Sequence, residues 1–386
     1  MNIKEKDSLY IANTYARFPL TLTKGEGSLV YDDVGNEYID MATGIAVNTF
    51  GYSDKEWANA VCEQLNTLQH TSNLYYSEPC VTLAEMICNK TGMKKVFFSN
   101  SGAEANECAI KVARKYAAEK KGADYNTIIT LKNSFHGRTI TTLAATGQDV
   151  FHKDFLPLTE GFVYCEANNC EELENLVNTN KVAAIMFETV QGEGGVLPLT
   201  DEFVNKIFEL ANKNDILTIA DEVQTGNGRT GKLYGFMNYG VTPDIFSTAK
   251  GLGGGLPLGA TVMGEKVQNV LIPSSHGSTF GGNPVACAGA VNILNRIDDE
   301  LLKSVCEKSQ YIVEKLTVAK GVNSVSGKGF MLGIETEKDA GEIISECMKN
   351  GVLVIKAKNK VRLLPALNIP KDLLEKAVDV IINACK

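Results

Sequence analysis

Short apolar runs that end at a polar or glycine residue recur through the middle of the chain. Runs of this kind, bounded by turn residues, are typical of buried strands. Between them the apolar residues change to helical spacing, as Ala109, Val112, Ala113 and Tyr116 do after the first run. Strands that alternate with helices predict an α/β domain with a mainly parallel sheet. The predicted strands are residues 95–99, 127–131, 162–164, 182–187, 216–220, 245–249 and 260–263.

The two ends of the chain have a different pattern. Residues 20–40 alternate apolar and polar side chains around glycine-containing turns, which predicts a small antiparallel sheet. After residue 321 short strands mix with two amphipathic helices, as in an α+β domain. These strands are predicted at 322–325, 329–334, 353–356 and 361–364, and further helices at 54–67, 83–90 and in one long stretch from about Asn283 to Lys315. We therefore expect a large domain at 51–282 and a small domain at 283–386, which residues 1–50 join.

Composition narrows the possible partners. A chain of 386 residues is longer than one hydrophobic core usually accommodates, which favours more than one domain. Its content of 44% hydrophobic and 22% charged residues is typical of a soluble enzyme. The net charge of −8 argues against nucleic acid or an anionic membrane as a partner. Residues 1–19 lack the apolar core of a signal peptide, and no run has the length of a membrane span, so we expect a cytoplasmic protein. The ten cysteines and four histidines show no metal-ligand spacing, and no metal is predicted.

Two charged side chains stand where predicted strands end. Asp221 follows the strand at 216–220, and Lys250 follows the strand at 245–249. In open α/β sheets this edge is where ligands bind. A lysine there can bond to an aldehyde cofactor, while an aspartate holds the pyridine nitrogen of pyridoxal phosphate. A structural aspartate near a surface lysine explains the pair equally well.

Other polar motifs follow strands of the same predicted sheet. Ser101, Gly102 and Ala103 lie between a strand and a helix, where free backbone amides and the helix dipole attract an anion. A simple N-cap is the alternative. Phe135 offers a ring for stacking on a flat cofactor and Arg138 a guanidinium for a carboxylate. A core phenylalanine and a solvated arginine are the alternatives for this pair.

Two more segments add charged and hydroxyl groups. Glu188 and Glu193 enclose a glycine-rich loop after the strand at 182–187, and such a carboxylate can pair with an arginine such as Arg362. A solvated loop is the alternative. Ser278 and Thr279 lie in a glycine-rich loop and can donate hydroxyl hydrogen bonds to an anion.

One glycine motif points to a different class of protein. Residues 226–233 match Gly-x-Gly-x-x-Gly and nearly match a phosphate-binding loop of nucleotide-binding proteins. Leu233 stands where that loop needs a serine or threonine for magnesium, and neither a preceding strand nor a following helix is predicted. A non-catalytic nucleotide-binding protein therefore stays only as a remote alternative.

Taken in order, the motifs resemble those of the class III pyridoxal phosphate-dependent aminotransferases, from about Tyr15 to the C-terminus. They are Ser-Gly-Ala-Glu-Ala, Phe-His-Gly-Arg-Thr, Gln-Gly-Glu-Gly-Gly, Asp-Glu-Val-Gln-Thr-Gly, Ala-Lys-Gly-Leu-Gly-Gly-Gly and Gly-Ser-Thr-Phe-Gly-Gly-Asn-Pro. The resemblance implies an α/β protein of the pyridoxal phosphate-dependent transferase fold type I. Its large domain holds a mainly parallel seven-stranded sheet, and a small α+β domain accompanies it. It also implies a homodimer with shared active sites.

The resemblance also implies roles for the motif residues. Lys250 bonds to the cofactor and carries protons, and Asp221 pairs with the pyridine nitrogen. The remaining cofactor residues are Ser101, Gly102 and Ala103 at the phosphate, Thr279 reaching it from the partner subunit, Phe135 on the ring and Gln224 near the ring hydroxyl. The implied substrate residues are Arg138 at the α-carboxylate, Ser278, Tyr15 at the entrance, and Glu193 as a switch that masks Arg362.

Within the class, the chain is most similar to members that transfer an amino group from N2-acetylornithine to 2-oxoglutarate in arginine synthesis. The segments 13–19, 44–48 and 70–76 carry this similarity. Succinyldiaminopimelate, succinylornithine, ornithine and 4-aminobutyrate stay open as alternative amino donors, because the sequence does not reveal the shape of the substrate pocket.

Overall fold

The computed structural model describes residues 1–386 of the chain. Its helices are α1 (Ile3–Tyr10), α2 (Thr43–Ala46), α3 (Lys55–Thr67), α4 (Glu78–Thr91), α5 (Gly102–Lys121), α6 (Ile140–Ala145), α7 (Cys170–Thr179), α8 (Asp201–Asn214), α9 (Pro284–Arg296), α10 (Asp299–Thr317), α11 (Ala340–Lys349) and α12 (Lys371–Cys385). Its strands are β1 (Leu22–Glu26), β2 (Leu29–Asp32), β3 (Glu37–Asp40), β4 (Lys95–Ser99), β5 (Thr127–Leu131), β6 (Phe162–Cys165), β7 (Val182–Phe187), β8 (Val190–Gln191), β9 (Leu197–Pro198), β10 (Leu217–Asp221), β11 (Ile245–Thr248), β12 (Gly259–Met263), β13 (Val322–Lys328), β14 (Met331–Thr336), β15 (Val352–Leu353), β16 (Ile355–Ala357) and β17 (Lys360–Leu363). The turn α2 is left-handed, since all four of its residues have positive φ angles.

The central sheet has seven strands in the order β4-β12-β11-β10-β7-β5-β6. Only β12 runs antiparallel to its neighbours, and the remaining pairs are parallel. Every residue of β7 is buried, as expected for a strand covered by helices on both faces. The predicted mainly parallel seven-stranded sheet is confirmed.

Helix α5 brings its N-terminus to the edge of this sheet where the parallel strands end. Ser101 caps the helix by accepting a hydrogen bond from the Glu104 amide at 3.2 Å. The Glu104 carboxylate in turn accepts the Asn100 amide at 2.6 Å, which fixes the turn between β4 and α5. The buried side of the helix, with Ala105 and Ala109 among its residues, faces β11 and β12.

A second group of strands comes from both ends of the chain. The antiparallel sheet β13-β14-β17-β16 lies entirely within the C-terminal part. A separate sheet, β1-β2-β3-β15, joins the N-terminal strands to β15, with Ile39 opposite Val352. Ile39 and Met41 share a buried cluster with C-terminal residues such as Phe330. The division at residues 50 and 282 stays a prediction.

The single long helix predicted from Asn283 to Lys315 is wrong, because the structure has two helices there. α9 ends at Arg296 and α10 begins at Asp299. Asp298 caps α10 by accepting the Leu301 amide at 2.8 Å. Aspartate is more favourable at a helix N-cap, where its side chain accepts a backbone amide, than inside a helix. α9 packs instead against α3 and α4.

None of the helices has the combination of length and apolar character needed to cross a membrane. All ten cysteines are free, and five of them are buried.

Candidate active site

One cavity of about 420 Å³ lies at the edge of the central sheet where its parallel strands end. This volume suits a small molecule. Nine of the residues named in the sequence analysis line it: Ser101, Gly102, Ala103, Phe135, Arg138, Glu188, Asp221, Gln224 and Lys250. The sheet and α5 therefore bring together residues up to 149 positions apart in the sequence, from Ser101 to Lys250.

Asp221, the last residue of β10, is buried and fully engaged. Its Oδ2 atom accepts Asn106 Nδ2 at 2.8 Å and lies 2.8 Å from His136 Nδ1. Its Oδ1 atom accepts the Val223 amide at 3.0 Å and the Ser247 hydroxyl at 3.4 Å. Because a carboxylate only accepts hydrogen bonds, His136 carries its proton on Nδ1. These bonds hold the carboxylate in one orientation.

Lys250 follows β11 and sits near Asp221 because the two strands pair in register. Asp221 lies opposite Ser247, three residues before Lys250. Lys250 has a φ angle of +46°, which is uncommon for a residue with a side chain. Removal from bulk water lowers the pKa of its amine, an effect that Glu193 opposes and Arg362 reinforces. The amine therefore stays neutral to lower pH than an exposed lysine.

The N-terminus of α5 forms a cradle beside Lys250. The amides of Gly102 and Ala103 lie in the first turn, where a helix offers them no partner of its own. At Gly102 a Cβ atom would lie 2.6 Å from the Val223 side chain, so only glycine fits. The free amides and the helix dipole make this place suitable for a phosphate group.

A buried arginine pairs with a glutamate beside the cavity. Arg362 is 2% exposed; its Nη1 donates to Glu193 Oε1 at 2.6 Å, and its Nη2 to Oε2 at 3.3 Å. Arg362 lowers the pKa of Glu193 against the opposing effect of burial. Gln224 joins the pair, since its Oε1 accepts Arg362 Nη1 at 3.0 Å. The predicted contact between Glu193 and Arg362 is therefore present.

The sequence analysis missed Asn106 and the contact of His136 with Asp221. Asn106 lies on α5 among buried alanines, and its amide holds both Asp221 and the His136 carbonyl. One polar residue on an otherwise apolar helix face is the signal that marks it. Glu188 is also buried in the cavity wall, where burial raises its pKa, and it accepts the Phe135 amide at 3.0 Å.

Five of the selected residues do not line the cavity: Glu193 and Arg362, which pair beside it, and Tyr15, Ser278 and Thr279. Tyr15 and Thr279 are exposed. Ser278 is partly buried, and its Oγ accepts Asn100 Nδ2 at 3.2 Å. Arg138 lines the cavity but is exposed, and it stacks 4.1 Å above the Phe151 ring without an acidic partner. We call the part of the cavity around Asp221 and Lys250 its floor, and the part at Arg138 with the adjoining Ser278–Thr279 loop its rim. The rim is thus much more exposed than the floor.

The glycine motif at 226–233 has a structural role. Arg229 is buried and donates to the carbonyls of Phe330 and Pro365, which ties the motif to the C-terminal part of the chain. Burial lowers its pKa to about 9. No α-helix follows the motif, and its arginine is occupied by backbone carbonyls.

The donor set fits pyridoxal phosphate. One cavity holds a lysine amine for the aldehyde, an aspartate carboxylate for the pyridine nitrogen and free helix amides for the phosphate. His136 Nε2 and Asn106 Oδ1 are buried without hydrogen-bond partners, so two polar atoms near Asp221 remain available to bond a ligand.

Comparison with known proteins points to one family of enzymes. The model of the family described as aminotransferase class-III matches residues 10–385. The acetylornithine aminotransferase of Haemophilus ducreyi is 47% identical, over 98% of this chain and 97% of that protein. That of Caldanaerobacter subterraneus is 46% identical, over 96% of each.

Solved structures give the same result. The ornithine aminotransferase from Toxoplasma gondii superposes with a TM-score of 0.95 at 31% identity, covering 99% of this chain and 94% of that chain. The N-acetylornithine aminotransferase from Stenotrophomonas maltophilia has a TM-score of 0.85 at 35% identity and covers 98% of both chains. The fold class predicted from the motifs is confirmed, and the chain belongs to the class III aminotransferase family.

Proposed function

We propose that the protein transfers the terminal amino group of N2-acetylornithine to 2-oxoglutarate with pyridoxal phosphate as cofactor. The products are N-acetylglutamate 5-semialdehyde and glutamate, and the step belongs to arginine biosynthesis. The observation that carries the proposal is the cavity in which Lys250, Asp221 and the free α5 amides meet. The identities of 46–47% to proteins named acetylornithine aminotransferase support the choice of donor.

Bound pyridoxal phosphate supplies an aldehyde that takes up the amino group and a ring that accepts electrons from the substrate carbon. Lys250 would hold the cofactor through a covalent bond between its amine and that aldehyde, and the donor amine would replace it in that bond. The Lys250 Nζ atom then takes the proton from the donor carbon that bears the leaving amino group. The lowered pKa of Lys250 suits this role, because only a neutral amine accepts a proton.

The residues around Lys250 orient the cofactor. Asp221, held in one orientation by Asn106 and His136, would pair with the pyridine nitrogen. Phe135 would stack on the ring, and Gln224 would lie near the ring hydroxyl. Ser101, Gly102 and Ala103 would bind the phosphate, together with Thr279 of a second copy of the chain.

Substrate carboxylates are recognised at the rim. Arg138 binds the α-carboxylate, and its lack of an acidic partner leaves it free to do so. Glu193 masks Arg362 while the amino donor is bound and yields when 2-oxoglutarate brings a second carboxylate. One site thereby accepts two substrates of different charge. Ser278 and Tyr15 complete the substrate entrance.

The shared phosphate site requires a homodimer. The exposed Thr279 and the neighbouring Phe280, which is 61% exposed, support a contact between copies at this loop. We place the enzyme in the cytoplasm.

The visible absorption spectrum of the purified holoenzyme tests the proposal directly. Adding N2-acetylornithine without 2-oxoglutarate should remove the absorption band of the Lys250-bound cofactor, and 2-oxoglutarate should restore it. Ornithine is the second candidate donor, because the fold superposes closely on ornithine aminotransferases. A larger kcat/KM for ornithine, or for a succinylated donor, would reassign the substrate, and a protein that takes up no pyridoxal phosphate would contradict the proposal.

A further inference from the structure

The loop that carries Glu193 contains a strained, fully buried valine. Residues 192–196 form the tip of the hairpin between β8 and β9. Val196 is 0% exposed and has a φ angle of +55°. A β-branched residue rarely adopts this conformation, and it persists only where the surrounding structure enforces it. The question is therefore what holds Val196.

A chain of two hydrogen bonds links the C-terminal sheet to the Val196 backbone. Ser326 Oγ, on β13, donates to the Val196 carbonyl at 2.8 Å. Lys360 Nζ, on β17, donates to the same Ser326 hydroxyl at 2.8 Å. Lys360 is only 8% exposed and is paired with no carboxylate, so the serine hydroxyl is the acceptor that the structure gives it. The chain Lys360–Ser326–Val196 thus anchors the base of the loop.

Gly333 has no side chain, and this leaves room for Val196 beside Ser326 and Lys360. Ser326 lies opposite Gly333, and Gly333 lies opposite Arg362, so the three share one row across the sheet. A Cβ atom at Gly333 would lie 2.8 Å from Val196 Cβ and 3.3 Å from Lys360 Cδ. Gly333, Ser326 and Lys360 therefore form a notch that the Val196 side chain fills, which we call the Gly333 notch.

We infer that the Gly333 notch positions Glu193 for its contact with Arg362. The same sheet holds Arg362 and, through the notch, Val196, which is three residues from Glu193. The loop is therefore fixed relative to the arginine that its glutamate meets. Gly194 and Gly195 lie between the anchor and Glu193. A Cβ atom at Gly194 would lie 2.5 Å from the Asn133 carbonyl oxygen, whereas nothing surrounds the Cβ position of Gly195. Gly195 therefore lets Glu193 yield while Val196 stays anchored.

This inference rests on the proposed function, because it predicts unequal effects on the two half-reactions. Pairing of Glu193 with Arg362 serves the amino donor, whereas 2-oxoglutarate binds after Glu193 has moved. Loosening the anchor should therefore weaken the donor half-reaction and spare, or favour, the 2-oxoglutarate half-reaction. A merely structural role would lower both equally.

The test compares Ser326→Ala with Ser324→Ala by rapid mixing of the aldehyde form of the holoenzyme with the amino donor, and of its amino form with 2-oxoglutarate. Ser324 is on the same strand, but its hydroxyl donates to Glu335 at 2.9 Å and not to the loop. Loss of one hydrogen bond should lower the ratio of donor to 2-oxoglutarate kcat/KM about threefold to tenfold in Ser326→Ala. Ser324→Ala should leave the ratio unchanged, and Lys360→Met should lower it by less than Ser326→Ala does.

Hydrogen exchange of residues 190–198 gives a readout independent of turnover. Ser326→Ala should speed exchange in this segment by a similar factor, and Ser324→Ala should not. Equal changes in both half-reactions, or no faster exchange in Ser326→Ala than in the control, would overturn the inference. Failure of the proposed function looks different, because the wild-type protein would then lack the donor half-reaction itself.

Discussion

The floor and the rim of the cavity are built in opposite ways. At the floor, Asp221 is buried and held by four hydrogen-bond donors from four parts of the chain. At the rim, Arg138 and Thr279 are exposed and no side chain of this chain pairs with their polar groups. Both regions carry residues of the same family motifs, yet only at the floor are the polar groups bonded within this chain; in the proposed function a second copy completes the rim.

The difference follows from what each region must do. A cofactor that stays bound needs groups whose orientation does not change, and buried groups with all bonds made provide that. Substrates that come and go need groups that are free until they arrive. We therefore expect changes at the floor to reduce the rate of the chemical step and changes at the rim to weaken binding.

The largest effect is expected at Lys250. Lys250→Ala and Lys250→Arg should each lower kcat by about 10⁴-fold or more, because neither side chain can both bond to the cofactor and carry the proton. Borohydride reduction followed by peptide mass spectrometry should find the cofactor mass on Lys250 in the wild type only. Substantial turnover by Lys250→Arg would remove the central residue from the proposal.

Asp221→Asn tests whether the floor acts through charge. The asparagine should lower kcat about 10²- to 10³-fold, since a neutral amide no longer stabilises a protonated pyridine nitrogen. The matched control is Asp244→Asn. Asp244 immediately precedes β11 of the same sheet but accepts the Thr218 amide, at 2.9 Å, at the opposite end of β10. A control variant that loses as much kcat would mean that the loss reflects damage to the sheet.

Asn106→Leu refines the same test. This change removes one donor from Asp221 and one from the His136 carbonyl, so we expect a smaller loss of kcat than in Asp221→Asn. If Asn106→Leu changes neither kcat nor the cofactor spectrum, then Asp221 does not depend on its buried support.

The floor was also the part of the site that the sequence predicted best. Asp221 and Lys250 lie at the ends of short apolar runs, a signal that needs only a few neighbouring residues. The support for Asp221 could not be found in this way, because Asn106 is 115 residues away and meets it only through the packing of α5 on the sheet. The Gly333 notch could not be found in this way either, because Gly333 lies 137 residues after Val196 in the chain.

The prediction of one long helix over residues 283–315 failed for a local reason. Apolar residues continue with helical spacing through residues 284–317, so periodicity alone joins α9 to α10. The paired aspartates Asp298 and Asp299 carry the signal of a helix start, and the first of them caps α10. Capping residues deserve more weight than periodicity where the two disagree.

At the rim, Arg138→Gln should raise KM for both substrates about tenfold to a hundredfold and change kcat less. The thermal midpoint should stay close to that of the wild type, because no acidic partner is left unpaired. Arg296→Gln is the control, since Arg296 makes a two-point contact with Asp54 at 2.6 and 2.8 Å away from the cavity. It should lower the thermal midpoint and leave KM unchanged, the reverse of the change at Arg138.

The smallest expected effect, at Thr279, gives the sharpest test of the rim. Thr279→Ala should weaken pyridoxal phosphate binding about tenfold, because one hydrogen bond to the phosphate is lost.

Mixing Thr279→Ala chains with Lys250→Ala chains decides which copy supplies the hydroxyl. If Thr279 serves the neighbouring site, each mixed dimer contains one site with both Lys250 and Thr279, and that site binds the cofactor as tightly as the wild type. If Thr279 serves its own site, no site in the mixed dimer has both residues, and tight binding with turnover is not restored. The second result would make the rim, like the floor, complete within one chain and would end the contrast between them.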